Sequence, residues 1–122
     1  MTPSLWTVLL AAGHGSRLAR ATGNTRKQFL HFKEAPLYWQ SVLTMAAVPN
    51  LSGIVVVFPG EELTDRTREL ESLKRRSLLG LRIVSVAGGL RRQDSVRQGL
   101  ASLPADCDHV LVHDCARPFF SA

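Results

Sequence analysis

LWTVLLAAGHGSR, Leu5 to Arg17, decides the fold: a six-residue apolar run stops at Ala11-Ala12 and gives way at once to a loop with glycines at 13 and 15. In open α/β sheets the carboxyl ends of parallel strands share one edge, and ligands bind in the crevice beyond it. The same pattern returns twice. AGGLRRQDSV from Ala87 follows the apolar run Leu81 to Val86, and HDCARP from His113 follows His109 to Val112. Three polar loops leaving three strands at one edge predict a single site contributed in pieces.

A further strand is predicted at Ile54 to Phe58, IVVVF, bounded by Gly53 and by Pro59-Gly60. Near-continuous β-branched runs suit strands covered on both faces, as in parallel sheets. Helical patterns fill the intervals. Pro36 opens one that runs through Leu37, Val42, Leu43 and Ala46 and stops before Pro49-Asn50, since proline is tolerated in a first turn and excluded from a helix interior. Glu61 to Arg76 carries Leu63, Leu70 and Leu73 on one side and closes on Lys74-Arg75-Arg76, where cations complement the carbonyl end of the dipole. Gln93 to Leu103 is the third helix. This alternation predicts an α/β fold with a mostly parallel sheet flanked by helices and right-handed crossovers, as one domain over residues 1–122. After Pro118 the residues are FFSA, and Ser121 resembles a helix N-cap with no helix behind it, so the chain reads as the truncated N-terminal part of a longer protein.

Composition narrows the function classes only modestly. Apolar residues at 45% and charged residues at 20% are ordinary for a soluble globular domain, and the net charge of +5, mostly arginine, fits a phosphate-rich partner without choosing among nucleotide, nucleic acid and acidic metabolite. The basic triplet at residues 74–76 lacks the interleaved aromatics of a nucleic-acid platform and reads as a solvated helix end. No apolar stretch approaches the length of about 20 residues that spans a bilayer, and the N-terminus lacks the pattern of a secretory signal, so no membrane partner and a cytoplasmic location are expected. Cys107 and Cys115 read as reduced thiols. Cys115 stands beside Asp114 without the electropositive setting a reactive thiol needs, which favours a small core residue over a nucleophile.

The loops themselves suggest chemistry. Gly13 and Gly15 let backbone amides approach a ligand and form an anion nest for a polyphosphate, with Arg17 and Lys27 adding charge. From Gly13 to Gln28 the chain is nearly all small or basic, as a lid over a triphosphate would be, with Arg20 and Arg26 reading as solvated. It is neither a complete dinucleotide fingerprint, because Leu18 replaces the third glycine, nor a Walker loop, because G-K-[ST] is absent. The backbone at Gly88-Gly89 could read the edge of a base, while Ser95, in the first turn of the next helix, reads on its own as a cap. Asp114 directly follows a strand, where a carboxylate can hold a Mg²⁺ shared with substrate phosphates. His113 reads as a packed or capping residue, since magnesium prefers oxygen.

Taken in order, LAAGHGSRL, KQFL, AGGLRRQDSVRQGL and VHDCARPF resemble the 2-C-methyl-D-erythritol 4-phosphate cytidylyltransferases of the non-mevalonate isoprenoid pathway. The resemblance implies a Rossmann-like nucleotidyltransferase domain that joins CTP to methylerythritol phosphate with Mg²⁺ and releases pyrophosphate, as a homodimer when full length. It places the family's triphosphate loop on Ala11, Ala12, Gly13 and Gly15, its catalytic arginine and lysine on Arg17 and Lys27, and its cytosine-binding segment on Gly88, Gly89, Arg92 and Ser95. Its metal-binding aspartate falls on Asp114, with Arg117 in the adjacent loop. The chain departs from the family at Arg26, where proline is frequent, in a longer spacing from Arg17 to Lys27, and at Cys115, where alanine is common. The family's second half, with a further lysine and a dimer arm, has no counterpart up to Ala122, so weak CTP binding and little turnover are expected of these residues alone. Other readings are a ribitol-phosphate type cytidylyltransferase, favoured less because its first loop tends to AGG, a non-catalytic dinucleotide-binding domain, and a basic nucleic-acid module.

Overall fold

The computed structural model describes residues 4–11, 31–32, 35–77 and 79–115. The chain forms β1 (Leu5–Leu10), a short antiparallel pair β2 (His31–Phe32) and β3 (Ala35–Pro36), α1 (Leu37–Ala46), β4 (Leu51–Phe58), a 3-10 turn (Gly60–Glu62), α2 (Leu63–Ser77), β5 (Arg82–Ala87), α3 (Arg92–Ala101) and β6 (His109–Asp114). The last of these strands joins β5, β4 and β1 in a four-stranded sheet of order β5-β4-β1-β6, every pairing parallel. From β1 the chain steps outward to β4 and β5, then returns to lay β6 on the other side of β1. The strand order therefore reverses between β1 and β6, which is where open α/β sheets leave a crevice for ligands.

Alternation along the strands sends side chains to two separate cores. On one face Leu9, Ile54, Val56 and Phe58 meet Tyr38, Trp39, Val42 and Met45 of α1 and Leu70 and Leu73 of α2. Trp6, Val8, Leu10, Val55 and Val57 form the other, closed by Val96 of α3 with Leu103 and Cys107. Residues 53–58 of β4 are all buried, and each fully buried valine, isoleucine or phenylalanine side chain contributes about 1.5–3 kcal/mol of transfer free energy, so β4 is the spine of the domain. Helix α3 gets close to the sheet through Gly99: a Cβ there would lie 2.5 Å from Val8 Cγ1. Between the helices of the first face, the Tyr38 hydroxyl donates to Glu69 Oε1 at 2.7 Å while its ring meets Phe58 edge-on at 5.0 Å, which ties the start of α1 to α2.

The element types follow the sequence reading, with boundaries moved by pairing. β4 begins at Leu51 rather than Ile54 because a bulge at Ser52, which has no partner on β1, lets Leu51 and Gly53 pair with Leu5 and Trp6. Gly53 reads as a strand breaker in sequence, but in the fold it lies under the Trp6 indole, whose ring atoms would be 2.5 Å from any Cβ. On the neighbouring strand its register partner Arg82 reaches to 5.8 Å from the same ring, a cation–π contact. β5 is shifted by one residue to Arg82–Ala87, α3 spans Arg92–Ala101 rather than Gln93 to Leu103, and β6 runs on through His113 and Asp114, which pair with Leu9 and Leu10. The β2–β3 pair has no counterpart in the sequence reading. One expectation fails: β6 is not covered on both faces, for Val110, Leu111 and Val112 remain exposed. In the described sheet it is an edge strand, and its apolar sequence alone could not distinguish an edge from an interior position. The opposite edge is guarded, since Lys74 of α2 donates to the Ile83 carbonyl of β5 at 2.8 Å.

Candidate functional site

The sheet register places the three loop origins at one edge. Leu10, the last residue of β1, pairs with Val57 of β4 and with Asp114 of β6, and Phe58 of β4 pairs with Ala87, the last residue of β5. Backbone hydrogen bonds carry the ladder one residue further into each loop: Ala11 N–H donates to Val57 O at 2.8 Å, Gly88 N–H to Phe58 O at 2.7 Å, and Cys115 N–H to Leu10 O at 3.0 Å. Ala11 and Asp114 thus leave adjacent strands at the switch point, while Gly88 leaves the same edge from β5. Asp114 is half-buried and ends β6 instead of following it.

Immediately beyond, Cys115 is fully buried against the α1 side of the sheet. Burial, with the Asp114 charge adding to it, pushes its thiol up to about 12, and the Ser41 hydroxyl offsets only part of that. A thiol held protonated at neutral pH is no nucleophile, so the core reading of Cys115 stands. Both cysteines are free.

The second loop is shaped by the first turn of α3. Gly89 N–H donates to Ser95 Oγ at 3.2 Å, and Ser95 is buried. This corrects the capping role suggested by sequence: the serine hydroxyl reaches back to the glycine loop, and Arg91 occupies the N-cap position. Arg91 N–H donates to Asp94 Oδ2 at 3.2 Å, and the Arg91 guanidinium meets both carboxylate oxygens at 3.1 Å. These hydrogen bonds hold the Asp94 carboxyl below its usual range and raise Arg91 in turn. Asp94 also fills the space beside Gly89, where an added Cβ would collide with Asp94 Cβ. Arg92 is exposed at the start of α3, and Leu90 stands out from the loop with 86% of its surface exposed.

Of the residues predicted from sequence, the structure therefore brings Ala11, Gly88, Gly89, Arg92, Ser95 and Asp114 to one edge. Ala12, Gly13, Gly15, Arg17, Lys27 and Arg117 lie outside the described residues. Asp94 was missed, although its place three residues after Arg91 is the spacing by which an acidic side chain reaches back to an N-cap amide. Among the described residues no cluster of three or more His, Cys, Asp or Glu could hold a metal unaided. A carboxylate such as Asp114 suits a magnesium ion that takes most of its oxygens from phosphates and water. No described helix is long and apolar enough to cross a membrane.

Residues 5–122 match the family model described as IspD, 2-C-methyl-D-erythritol 4-phosphate cytidylyltransferase. The chain is 51% identical over 119 residues to a bifunctional enzyme IspD/IspF of Solidesulfovibrio magneticus, covering 98% of this chain and 30% of that one. It is 39% identical over 116 residues to a 2-C-methyl-D-erythritol 4-phosphate cytidylyltransferase of Solibacter usitatus, covering 92% of this chain and 46% of that one. Its fold matches the crystal structure of 4-diphosphocytidyl-2C-methyl-D-erythritol synthase from Anaerococcus prevotii with a TM-score of 0.73 at 21% identity, over 96% of this chain and 45% of that one. The chain thus spans less than half the length of each of these relatives.

Proposed function

The chain belongs to the 2-C-methyl-D-erythritol 4-phosphate cytidylyltransferase family, and from that membership we propose that the protein transfers the cytidylyl group of CTP to 2-C-methyl-D-erythritol 4-phosphate. The observation that carries this reading is the pairing of Leu10 with Asp114. It makes the start of the triphosphate loop and the metal-binding carboxylate leave neighbouring strands at the switch point.

An oxygen of the methylerythritol phosphate attacks the α-phosphorus of CTP, a new P–O bond forms, and the bond to the β-phosphate oxygen breaks to release pyrophosphate. Such a displacement needs positioning and charge neutralisation more than covalent help from the protein, which agrees with the buried, protonated state of Cys115. In this reading Ala11, held to β4 through its amide, starts the loop whose amides at Ala12, Gly13 and Gly15 cradle the triphosphate, and Arg17 and Lys27 neutralise charge on the oxygens around the α-phosphorus. Asp114 would hold a Mg²⁺ ion, which would supply further charge neutralisation when bound. Arg117 adds a cation to the same loop.

Cytosine lies against Gly88 and Gly89, with Arg92 at the helix start. Ser95 Oγ accepts from Gly89 N–H, so the serine holds the glycine loop in the shape that meets the base. The same reading makes the protein a cytoplasmic homodimer of isoprenoid precursor biosynthesis that binds neither nucleic acid nor membrane. The test is pyrophosphate release by the native protein. Release should require CTP, methylerythritol phosphate and a divalent cation together, and release that ignores the acceptor or proceeds equally with UTP would overturn the assignment.

A further inference from the structure

We propose that Asp94 is a positioning residue that clamps the Gly88–Arg91 loop into the shape that receives the base, a role that rests on the assignment of this loop to cytosine. Beyond the ladder bond of Gly88 N–H to Phe58 O, the loop has two side-chain anchors, both from one turn of α3. Ser95 Oγ accepts Gly89 N–H at 3.2 Å, and Asp94 Oδ2 accepts Arg91 N–H at 3.2 Å. Between the two anchored amides the backbone carries Leu90, whose side chain is exposed and offers no hold of its own. Asp94 acts on the loop from two sides: its carboxylate fixes the amide at Arg91, and its Cβ occupies the space that a side chain at position 89 would need. The guanidinium of Arg91 then closes over the same carboxylate at 3.1 Å, which restrains the Asp94 rotamer as well as the loop.

Asp94 touches the loop backbone, not the ligand, in this account. Removing the carboxylate leaves the residues that contact cytosine in place but lets the loop populate other shapes. Apparent affinity then falls by the fraction of chains still in the receiving shape. The chemistry at the α-phosphorus, at the β1–β6 end of the edge, is untouched. The clamp therefore predicts a split between KM and kcat that a general loss of stability would not produce.

The experiment compares Asp94→Ala and Asp94→Asn in the native protein. For Asp94→Ala the KM for CTP should rise by up to about fivefold, the size expected for loss of a helix-capping bond, while kcat stays within about twofold. In Asp94→Asn the amide oxygen still accepts Arg91 N–H, so this variant should recover most of the lost affinity. An unchanged KM in Asp94→Ala, an equal rise in both variants, or a fall in kcat without a rise in KM would each overturn the proposal. A wild-type protein with no CTP-dependent turnover would refute the functional reading instead, and amide exchange would then judge the clamp. Faster exchange at Gly89 and Arg91 in Asp94→Ala supports it, and unchanged exchange refutes it.

Discussion

Gly99→Ala sets two physical effects against each other, and the structure decides the sign. Gly99 lies in the interior of α3, where alanine is the better helix former by about 1 kcal/mol, so propensity alone predicts a stabilised protein. The new Cβ, however, would lie 2.5 Å from Val8 Cγ1 and 3.1 Å from Val57 Cγ2, against an ordinary carbon–carbon separation of about 3.5–4.0 Å. Val8 and Val57 are fully buried, lie diagonally on one face of the paired strands β1 and β4, and have stiff β-branched side chains. The sheet cannot yield, so α3 must retreat from it by about 1 Å, at an overpacking cost near the upper end of the usual range of about 1–3 kcal/mol. Net destabilisation should be about 2 kcal/mol, read as a lower urea midpoint at unchanged m in equilibrium unfolding. Because α3 carries Asp94 and Ser95, the KM for CTP should rise as well. Val8→Ala in the same chain removes the colliding methyl, so the double variant should lose less stability than the two single losses added. A gain of about 1 kcal/mol in Gly99→Ala would refute this reasoning and show that α3 does not rest on the sheet through Gly99.

Three further outcomes are expected. Thr7 is fully buried in β1 and its hydroxyl has no hydrogen-bond partner, so Thr7→Val, nearly the same shape, should raise stability by about 1 kcal/mol in the same unfolding measurement. Stability should fall as pH rises from about 9. The Cys115 thiol ionises near its ordinary 9.0 in the unfolded chain but only at about 12 in the fold, so the native state holds the proton that the unfolded state releases. The Tyr38 phenol, raised by burial and by its bond to Glu69, adds to the loss above 10.0. Cys115→Ala should flatten the slope between pH 9 and 10, which reaches about 1.4 kcal/mol per pH unit for one group. Asp114→Asn should abolish the dependence of CTP turnover on divalent cation concentration while leaving the unfolding midpoint nearly unchanged. Turnover and cation dependence like those of the wild type would remove Asp114 from the metal site.

The layout of the sheet was legible in the sequence wherever local pattern and tertiary position agree. The run Leu5–Leu10 is apolar because β1 lies between two other strands with a core on each face, and it ends at Ala11, where the carboxyl edge of the sheet begins. Where a residue serves a distant partner, the local pattern misleads. Gly53 belongs to a strand because Trp6 lies over it, and His113 and Asp114 are strand because β1 pairs with them, although all three residues look like loop in isolation. Val110 to Val112 have the composition of an interior strand yet stand at an edge, since apolarity records a preference for cover without naming what covers it. In the candidate site, glycines and a carboxylate after strands are readable because backbone approach and charge require particular residue types. The clamp at Asp94 left only the three-residue spacing from Arg91 as its mark, because one of its partners is a backbone amide and amides carry no letter in the sequence.

The most direct test of the account is a calorimetric titration of the native protein with CTP, with and without Mg²⁺, alongside UTP, ATP and NAD. Binding should prefer CTP and strengthen with the metal, as the paired exits at Ala11 and Asp114 and the family membership of the chain lead one to expect. Binding of NAD in preference to CTP, or binding of nucleotides without regard to base or metal, would contradict it.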